Sequence, residues 1–181
     1  MRPCDMLSLD PADPETGHYR IIVETPRGSR SKLKLDTETG LFTLNKVLPA
    51  GAEFPHDFGF FPSTAGQDGD PLDVLLLSDD KLFPGLLVVA RIIGAIEAEQ
   101  TDKDGTLRND RLLAVAVESL DYVDVKEIGD LGDSVVRQIE HFFISYNTYE
   151  GREFKPIGRA GAIKAKHIFE QHRKRYAAKH K

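Results

Sequence analysis

Short apolar runs separated by turn residues dominate the chain up to about residue 120, a pattern typical of β-strands. Strands are predicted over residues 19–24, 32–35, 41–47, 73–77, 86–99 and 112–117. The second of these alternates lysine with leucine and is expected to be half-buried, whereas the fourth is apolar after its first residue. The Asp-Lys-Asp-Gly sequence at 102–105 predicts a hairpin turn between the last two strands.

Helical periodicity follows these strands. Apolar residues at helical spacing predict an amphipathic helix over residues 131–149: Val136, Ile139, Phe143 and Tyr146. A second helix is predicted over residues 160–178, with three core anchors: Ile163, Ile168 and Phe169. Because strands come first and helices last, we expect a mainly β fold with flanking helices, of the α+β class. Two C-terminal helices would pack on a small β-barrel, and residues 1–181 would form a single domain.

Composition and charge narrow the class of protein. The chain has 181 residues, of which 40% are hydrophobic, enough for one core, and its formal net charge is −5. This charge argues against nucleic acid as a partner, although residues 164–181 contain seven Lys or Arg and one Glu. The basic segment is interpreted as the solvated face of the last helix.

The chain carries no recognisable signal for export or membrane insertion. The most apolar stretch, residues 86–96, contains Arg91 and is too short to span a bilayer. Residues 1–14 have no apolar core of a signal peptide, and the single cysteine, Cys4, cannot form an internal disulfide. A cytoplasmic location is therefore expected.

The sharpest chemical feature is an acidic segment just before the fourth strand. Asp68, Asp70 and Asp73 lie within six residues, while Gly69 and Pro71 shape the backbone between them. Two carboxylates about 4 Å apart repel by roughly 4 kcal/mol at an effective dielectric constant near 20, so such a cluster favours cations. Oxygen ligands select Mg²⁺, Mn²⁺ or Ca²⁺ over softer metals. Taken alone, the segment is equally consistent with a solvated Asp/Gly/Pro turn.

Two other acidic sites fit the segment less well. An EF-hand is excluded because Leu72 stands at the fifth loop position and Asp79 replaces the glutamate at the twelfth. A glycosidase-type pair of acids explains neither the third aspartate nor the basic residues elsewhere in the chain.

The segment Asp-Gly-Asp-Pro-Leu-Asp-Val at 68–74 resembles the signature of the soluble family I inorganic pyrophosphatases. The resemblance runs from about residue 19 to residue 146. It includes Val-Glu-Thr-Pro at 23–26, Lys32, Phe-Pro-His-Asp-Phe-Gly-Phe at 54–60, Asn-Asp-Arg-Leu at 109–112, and Ile-Glu-His-Phe-Phe at 139–143 followed by Tyr146.

This resemblance implies a five-stranded, OB-like barrel and Mg²⁺-dependent hydrolysis of diphosphate by a metal-activated water, with Mn²⁺ as an alternative ion. The residues that it implies as metal ligands are Asp68, Asp70, Asp73 and Asp102. Glu24 would hold metal-bound waters, and Asp70 would act as the general base. The residues that it implies as phosphate ligands are Lys32, Lys46, Arg111 and Tyr146. A homo-oligomer, specifically a hexamer, is also expected by resemblance.

Several positions depart from the family pattern: Phe54 and Phe58 replace tyrosines, Lys34 replaces a glutamate, Lys46 replaces an arginine, and Asn147 replaces a lysine. Asn109 falls where an aspartate is expected, unless a shift of one residue places Asp110 there. We hypothesise that Lys34 supplies part of the charge of an additional metal, so that fewer ions are needed. Lys155, with Arg152 and Arg159, would replace the phosphate contact missing at Asn147, or would simply belong to a basic loop between the helices.

Two alternative functions stay open from the sequence. A relative with the same chemistry would hydrolyse another phosphoanhydride or a small phosphoester. A non-catalytic OB-like module would bind nucleotides or nucleic acid, but such grooves need aromatic platforms with basic residues, whereas the central motif here is acidic.

Overall fold

A computed structural model describes residues 6–180; Cys4 lies outside the described residues. Within this range the strands are β1 (Tyr19–Thr25), β2 (Ser31–Leu35), β3 (Phe42–Val47), β4 (Asp57–Phe61), β5 (Leu72–Leu77), β6 (Leu87–Asp102), β7 (Gly105–Arg108), β8 (Arg111–Ala116) and β9 (Glu153–Gly161). The helices are α1 (Asp133–Tyr149) and α2 (Ala162–Lys179), with short 3₁₀ turns at Met6–Ser8 and Ile128–Leu131. No helix in this range is both long and apolar enough to cross a membrane.

Five strands close into a ring. β1 pairs with β4, β4 with β5, β5 with β8, β8 with β6, and β6 returns to pair with β1. The β5–β8 pairing is parallel and the other four are antiparallel. Closure removes the free sheet edges that an open five-stranded sheet would expose. The predicted five-stranded barrel with flanking helices is therefore confirmed.

The remaining strands extend this ring. β6 is 16 residues long and continues past the barrel, where it pairs with β7 through a tight hairpin and with β9 along its other edge. β2 and β3 form a separate hairpin. The Thr25 hydroxyl ties this hairpin to β1, because it accepts a hydrogen bond from the Leu33 amide (3.0 Å) and donates one to the Leu33 carbonyl (3.1 Å).

Two of the three apolar clusters among the described residues hold the layers together. One takes buried residues from all five barrel strands and from α2, including Ile168 and Phe169, so it fills the barrel interior and is closed by α2. The other joins the outer surface of β4, β5, β6 and β8 to α1. The four α1 anchors named from the sequence are all buried. The expectation for Ile163 is wrong: its side chain is 74% exposed, because it lies in the first turn of α2 and points away from the barrel.

Three strands were not among those predicted: β4, β7 and β9. β9 replaces the expected loop between the helices; its sequence has few apolar residues, and its strand conformation follows from pairing with β6. β4 is buried along its whole length and contains Gly59, where a Cβ atom would lie 2.1 Å from the Ile22 carbonyl oxygen. β4 and β1 can therefore approach closely only because this residue has no side chain.

Candidate active site

A cavity of about 260 Å³ lies between the β2–β3 hairpin, the loop before β5 and the C-terminal end of α1. Eight of the residues predicted to carry function line it: Glu24, Lys32, Lys46, Asp68, Asp70, Asp73, Arg111 and Tyr146. They come from six secondary-structure elements and one loop, so barrel closure is what brings them together. Asp102 lines an adjoining cavity, which Asp68 and Asp70 also line.

The loop between β4 and β5 presents the aspartates through a compact backbone turn. Gly69 has a φ of 92°, a conformation that other residues rarely adopt. The Asp70 amide donates a hydrogen bond to Asp68 Oδ1 (3.1 Å), which fixes the Asp68 carboxylate inside the turn. A Cβ atom at Gly66 would lie 2.5 Å from the same oxygen. Burial, reinforced by the neighbouring carboxylates, raises the pKa of Asp68 above its usual value.

Two cations of the chain itself contact this acidic group. Lys34 Nζ lies 2.9 Å from Asp70 Oδ2, and Arg111 Nη1 lies 2.6 Å from Asp73 Oδ2. Partial burial opposes protonation of Lys34, but the contact with Asp70 outweighs it and raises the pKa of the ammonium. The Lys34–Asp70 pair is half-exposed, whereas Arg111 is only 6% exposed. Two of the three aspartates are therefore already paired within the protein.

Arg111 is held by packing as well as by charge. Its guanidinium carbon lies 5.2 Å from the ring centre of Phe143 and 5.7 Å from that of Phe154. Its Nη1 also lies 2.5 Å from the Asn109 side-chain oxygen, while its buried Nε has no hydrogen-bond partner in the described chain. A buried donor without a partner is rare and costly, so this group is free to bind an added acceptor.

Glu24 lies near the C-terminal end of β1 and lines the same cavity as the aspartates. It is 7% exposed, and its Oε1 accepts a hydrogen bond from the Leu35 amide (2.9 Å). Burial raises the pKa of Glu24 to about 7, against the hydrogen bond from Leu35 and with a contribution from the charge on Asp73. This carboxyl group is therefore shared between protonated and ionised forms at neutral pH.

The acidic wall has the donors for a hard divalent cation. Among residues 6–180, no three His, Cys, Asp or Glu side chains converge closely enough to hold a metal ion as they stand. Asp70 and Asp73 instead contact Lys34 and Arg111. Nevertheless, Asp68, Asp70 and Asp73 share one cavity and offer carboxylate oxygens alone, the ligand type that Mg²⁺ and Mn²⁺ prefer. The donor set fits such an ion once the aspartates turn toward one another.

The opposite wall is cationic and aromatic. The β2–β3 register places Lys32 directly opposite Lys46, an arrangement that is unfavourable in a sheet unless anions compensate it. Lys32 Nζ lies over the rings of Phe58 (5.3 Å) and Tyr146 (5.4 Å), and Lys46 Nζ lies 5.5 Å from the Tyr146 ring centre. Burial lowers the pKa of Lys32. This wall is therefore built to receive an anion.

The Tyr146 hydroxyl is buried between the two walls. It has no hydrogen bond of good geometry to any described residue, although Glu150 is close enough to affect it. Burial, followed by the charge of Glu150, raises the pKa of Tyr146, so the group remains a neutral donor. An unsatisfied buried hydroxyl at a cavity wall is suited to donate to a ligand oxygen.

The structure resolves which residue near the β7–β8 turn faces the cavity. Asn109 lines it and donates from Nδ2 to the Gln100 side-chain oxygen (2.9 Å). Asp110 points away, where its Oδ1 accepts hydrogen bonds from the Ala98 amide (3.0 Å) and Arg108 Nε (2.6 Å). The amide, rather than the neighbouring carboxylate, is therefore the cavity residue.

The other departures from the family pattern also have defined places. Phe54 and Phe58 are buried in an aromatic cluster, with ring centres 5.6 Å apart, and neither lines the cavity. Asn147 lines the cavity but is buried, and its Nδ2 donates to the Phe143 carbonyl (2.8 Å) as a helix-bound side chain. It therefore does not extend toward a ligand as a lysine would.

The basic residues in and just before β9 have different surroundings. Arg152, just before the strand, lines the cavity. Lys155 is exposed on β9 and is not among the cavity-lining residues in the described chain. Arg159 is committed to α1, with its Nε 2.7 Å from Glu140 Oε1. Of the predicted substrate residues, Lys155 is thus the one that the fold does not bring to the cavity.

Sequence reasoning missed Glu150. This residue follows α1 directly, lines the cavity, and contacts Lys46 through its carboxylate. No motif marks it, but its position four residues after Tyr146 at the end of a predicted helix is a signal that helical spacing provides.

Comparison with known proteins identifies the family. The family model described as inorganic pyrophosphatase matches residues 21–177. The chain belongs to the inorganic pyrophosphatase family. It is 36% identical over 152 residues to the inorganic pyrophosphatase of a Synechocystis strain, covering 84% of this chain and 88% of that protein. It is 37% identical over 142 residues to that of Thermus thermophilus, covering 78% of each chain.

Solved structures of the pyrophosphatase family share the fold. The crystal structure of inorganic pyrophosphatase from Thermus thermophilus superposes with a TM-score of 0.87 at 32% identity, covering 96% of this chain and 99% of that one. The structure of an inorganic pyrophosphatase from Neisseria gonorrhoeae gives a TM-score of 0.84 at 28% identity, covering 93% and 96%. The chain therefore shares the fold of these pyrophosphatases over nearly its whole length.

Proposed function

We propose that this protein hydrolyses inorganic diphosphate to two phosphates, with Mg²⁺ as the activating ion and Mn²⁺ as an alternative. The observation that carries the proposal is one cavity that is lined by both an acidic and a cationic wall. Such a cavity suits a dense anion accompanied by divalent cations, because neither wall alone can balance both charges. Membership of the inorganic pyrophosphatase family supports the same reaction.

The cationic wall is proposed to bind the phosphate groups. Lys32, Lys46 and Arg111 would supply charge, and the Tyr146 hydroxyl would donate a hydrogen bond. The unpartnered Arg111 Nε and Tyr146 hydroxyl support this assignment, since a phosphate oxygen would satisfy both. Holding both phosphates in one orientation is the main contribution such a wall makes to phosphoryl transfer.

The acidic wall is proposed to hold the cations. Asp68, Asp70, Asp73 and Asp102 would bind them, and Glu24 would orient their waters from below. A divalent cation supplies positive charge for the phosphate oxygens and lowers the pKa of water from 15.7 toward 7.

Asp70 is proposed as the general base. The water oxygen forms a bond to one phosphorus, the bridging P–O bond breaks, and Asp70 accepts the water proton. The ammonium of Lys34 contacts Asp70 Oδ2, so the proton would be accepted at Oδ1 or after this contact opens.

Hydrolysis of another phosphoanhydride is separated from this proposal by a substrate panel. Diphosphate, triphosphate and a nucleoside diphosphate are each supplied with Mg²⁺, and phosphate release is measured. We expect diphosphate to be preferred, since Phe54 and Phe58, where loss of a hydroxyl could have enlarged the cavity, are buried and do not line it. A gel-shift titration with single-stranded nucleic acid tests the binding-module alternative, and no shift is expected.

The decisive experiment is phosphate release from diphosphate by wild type and by Asp70→Ala, with and without Mg²⁺. Removal of a general base and metal ligand is expected to reduce kcat by at least about a hundredfold. Asp124→Ala serves as the control, because Asp124 is exposed and lies outside the cavity. Diphosphate left intact by wild type with either ion, or an Asp70→Ala enzyme of full activity, would refute the proposal.

The domain organisation, the cellular location and the oligomeric state are also proposed. We take residues 1–181 as one domain that acts in the cytoplasm as a homo-oligomer, specifically a hexamer. Light scattering coupled to size-exclusion chromatography measures the assembly directly, and a monomer would contradict it.

A further inference from the structure

A carboxylate stands among the groups that are proposed to bind phosphate. Glu150 contacts Lys46 Nζ through Oε1, and its Oε2 lies 3.7 Å from Arg152 Nη1. Its side chain is only 13% exposed and lines the cavity beside Lys46. An anion therefore already occupies the wall that is built to receive one.

The turn after α1 holds Glu150 in place. The Glu150 amide donates to the Asn147 carbonyl (2.9 Å), and the Arg152 amide donates to the same oxygen (3.0 Å). Gly151, between them, has a φ of 69°, which permits the reversal. Glu150 and Arg152 are thus presented to the cavity by a closed backbone turn.

Glu150 and a phosphate group would use the same partners. The Lys46 ammonium and the Arg152 guanidinium bind carboxylates and phosphates by the same charge-assisted hydrogen bonds. If both anions bound at once, they would lie within a few ångströms of each other and repel. Binding of phosphate therefore requires Glu150 to leave Lys46, or to accept an unfavourable neighbour.

We propose that Glu150 is an internal anion that occupies a phosphate position at Lys46 and Arg152 and thereby lowers the affinity of this wall for phosphate. The inference rests on the proposed function for the identity of the ligand. Its consequence in turnover is faster release of product phosphate, because the returning carboxylate replaces the departing anion at the same cations.

A purely positioning role for Glu150 predicts the opposite sign. If the carboxylate serves to orient Lys46 toward the substrate, its removal would leave the lysine disordered and weaken phosphate binding. If it competes, its removal would strengthen phosphate binding. The direction of the change in affinity therefore separates the two roles.

The test is isothermal titration of wild type, Glu150→Gln and Glu150→Asp with inorganic phosphate in the presence of Mg²⁺. Glu153→Gln is the matched control, because Glu153 is exposed at the start of β9 and its change alters the net charge equally. Loss of one like charge beside the bound anion is expected to tighten phosphate binding by about fivefold in Glu150→Gln. Glu150→Asp, whose shorter side chain withdraws the carboxylate from Lys46, is expected to fall between wild type and Glu150→Gln. Circular dichroism confirms that each variant is folded.

The outcomes are distinct. Tighter binding in Glu150→Gln or Glu150→Asp, with Glu153→Gln close to wild type, supports the inference. Unchanged or weaker binding in both Glu150 variants, while wild type binds phosphate and hydrolyses diphosphate, overturns the inference and leaves the proposed function standing. Wild type that neither binds phosphate nor hydrolyses diphosphate overturns both.

Discussion

Lys34 offers the most direct test of how this cavity balances its charges. Its ammonium lies 2.9 Å from Asp70, on a carboxylate that is proposed to hold a divalent ion. The sequence hypothesis is that this lysine supplies part of a metal's charge, so that fewer ions are needed. The perturbations are Lys34→Gln, which removes the charge, and Lys34→Glu, which reverses it.

The magnitude follows from the distance. Mg²⁺ lies about 2.1 Å from its oxygen ligands, so an ion bound to the same oxygen, Asp70 Oδ2, would be at most about 5 Å from Lys34 Nζ. A single and a double charge at that separation repel by about 2 kcal/mol in water, and physiological salt reduces this to about 1 kcal/mol. The dielectric constant of water is appropriate because both side chains are half-exposed. Lys34→Gln should therefore bind the ion about fivefold more tightly, and Lys34→Glu about twenty-fivefold.

The assay is calorimetric titration of metal-free protein with Mn²⁺ and Mg²⁺, which gives affinity and stoichiometry without reference to turnover. Lys34→Glu is expected to bind an additional ion and to change the Mg²⁺ dependence of activity. Lys81→Glu, at an exposed loop position, controls for the change in net charge. Identical stoichiometry, affinity and Mg²⁺ dependence in wild type and Lys34→Glu would refute the reasoning.

Three further results are expected. Tyr146→Phe should leave the melting temperature unchanged or slightly raised, because the hydroxyl it removes is buried without a partner, while the KM for diphosphate rises about fivefold; a lowered melting temperature with normal KM would contradict this. In metal-free protein, the pKa of Glu24 is about 7 when folded and near 4.5 when unfolded, so its contribution to stability is complete below pH 4.5 and is lost as pH rises through 7. In urea unfolding, the free energy of unfolding of wild type should fall by up to about 3 kcal/mol over this pH range, relative to that of Glu24→Gln. If the free energies of the two proteins change with pH in parallel, this expectation is wrong. Lys155→Ala should keep the wild-type KM, since Lys155 lies outside the cavity lining; a several-fold rise in KM would restore its predicted role.

Much of the fold was accessible because its signals are local. Short apolar runs bounded by turn residues located β1, β3, β5, β6 and β8, and period-two alternation located β2. Helical spacing located α1 and α2, and each of these patterns depends only on neighbouring residues. The acidic segment was found for the same reason: Asp68, Asp70 and Asp73 lie within six residues, on the loop before β5 and at the start of that strand.

Other features depend on partners that are distant in sequence. β9 is a strand because β6 extends past the barrel and pairs with it, and no periodicity in its own residues indicates this. The choice between Asn109 and Asp110 also depended on such partners, since Gln100 bonds Asn109 at the cavity, whereas the Ala98 amide bonds Asp110 away from it.

The chain by itself therefore determined which side chains are available for chemistry and which segments form strands and helices. Only the closed barrel decided which charges meet: Lys34 with Asp70 across 36 positions, and Lys46 with Glu150 across 104. Such pairings arise because burying the apolar faces of the strands fixes the backbone, and the charged groups at the rim are carried into contact.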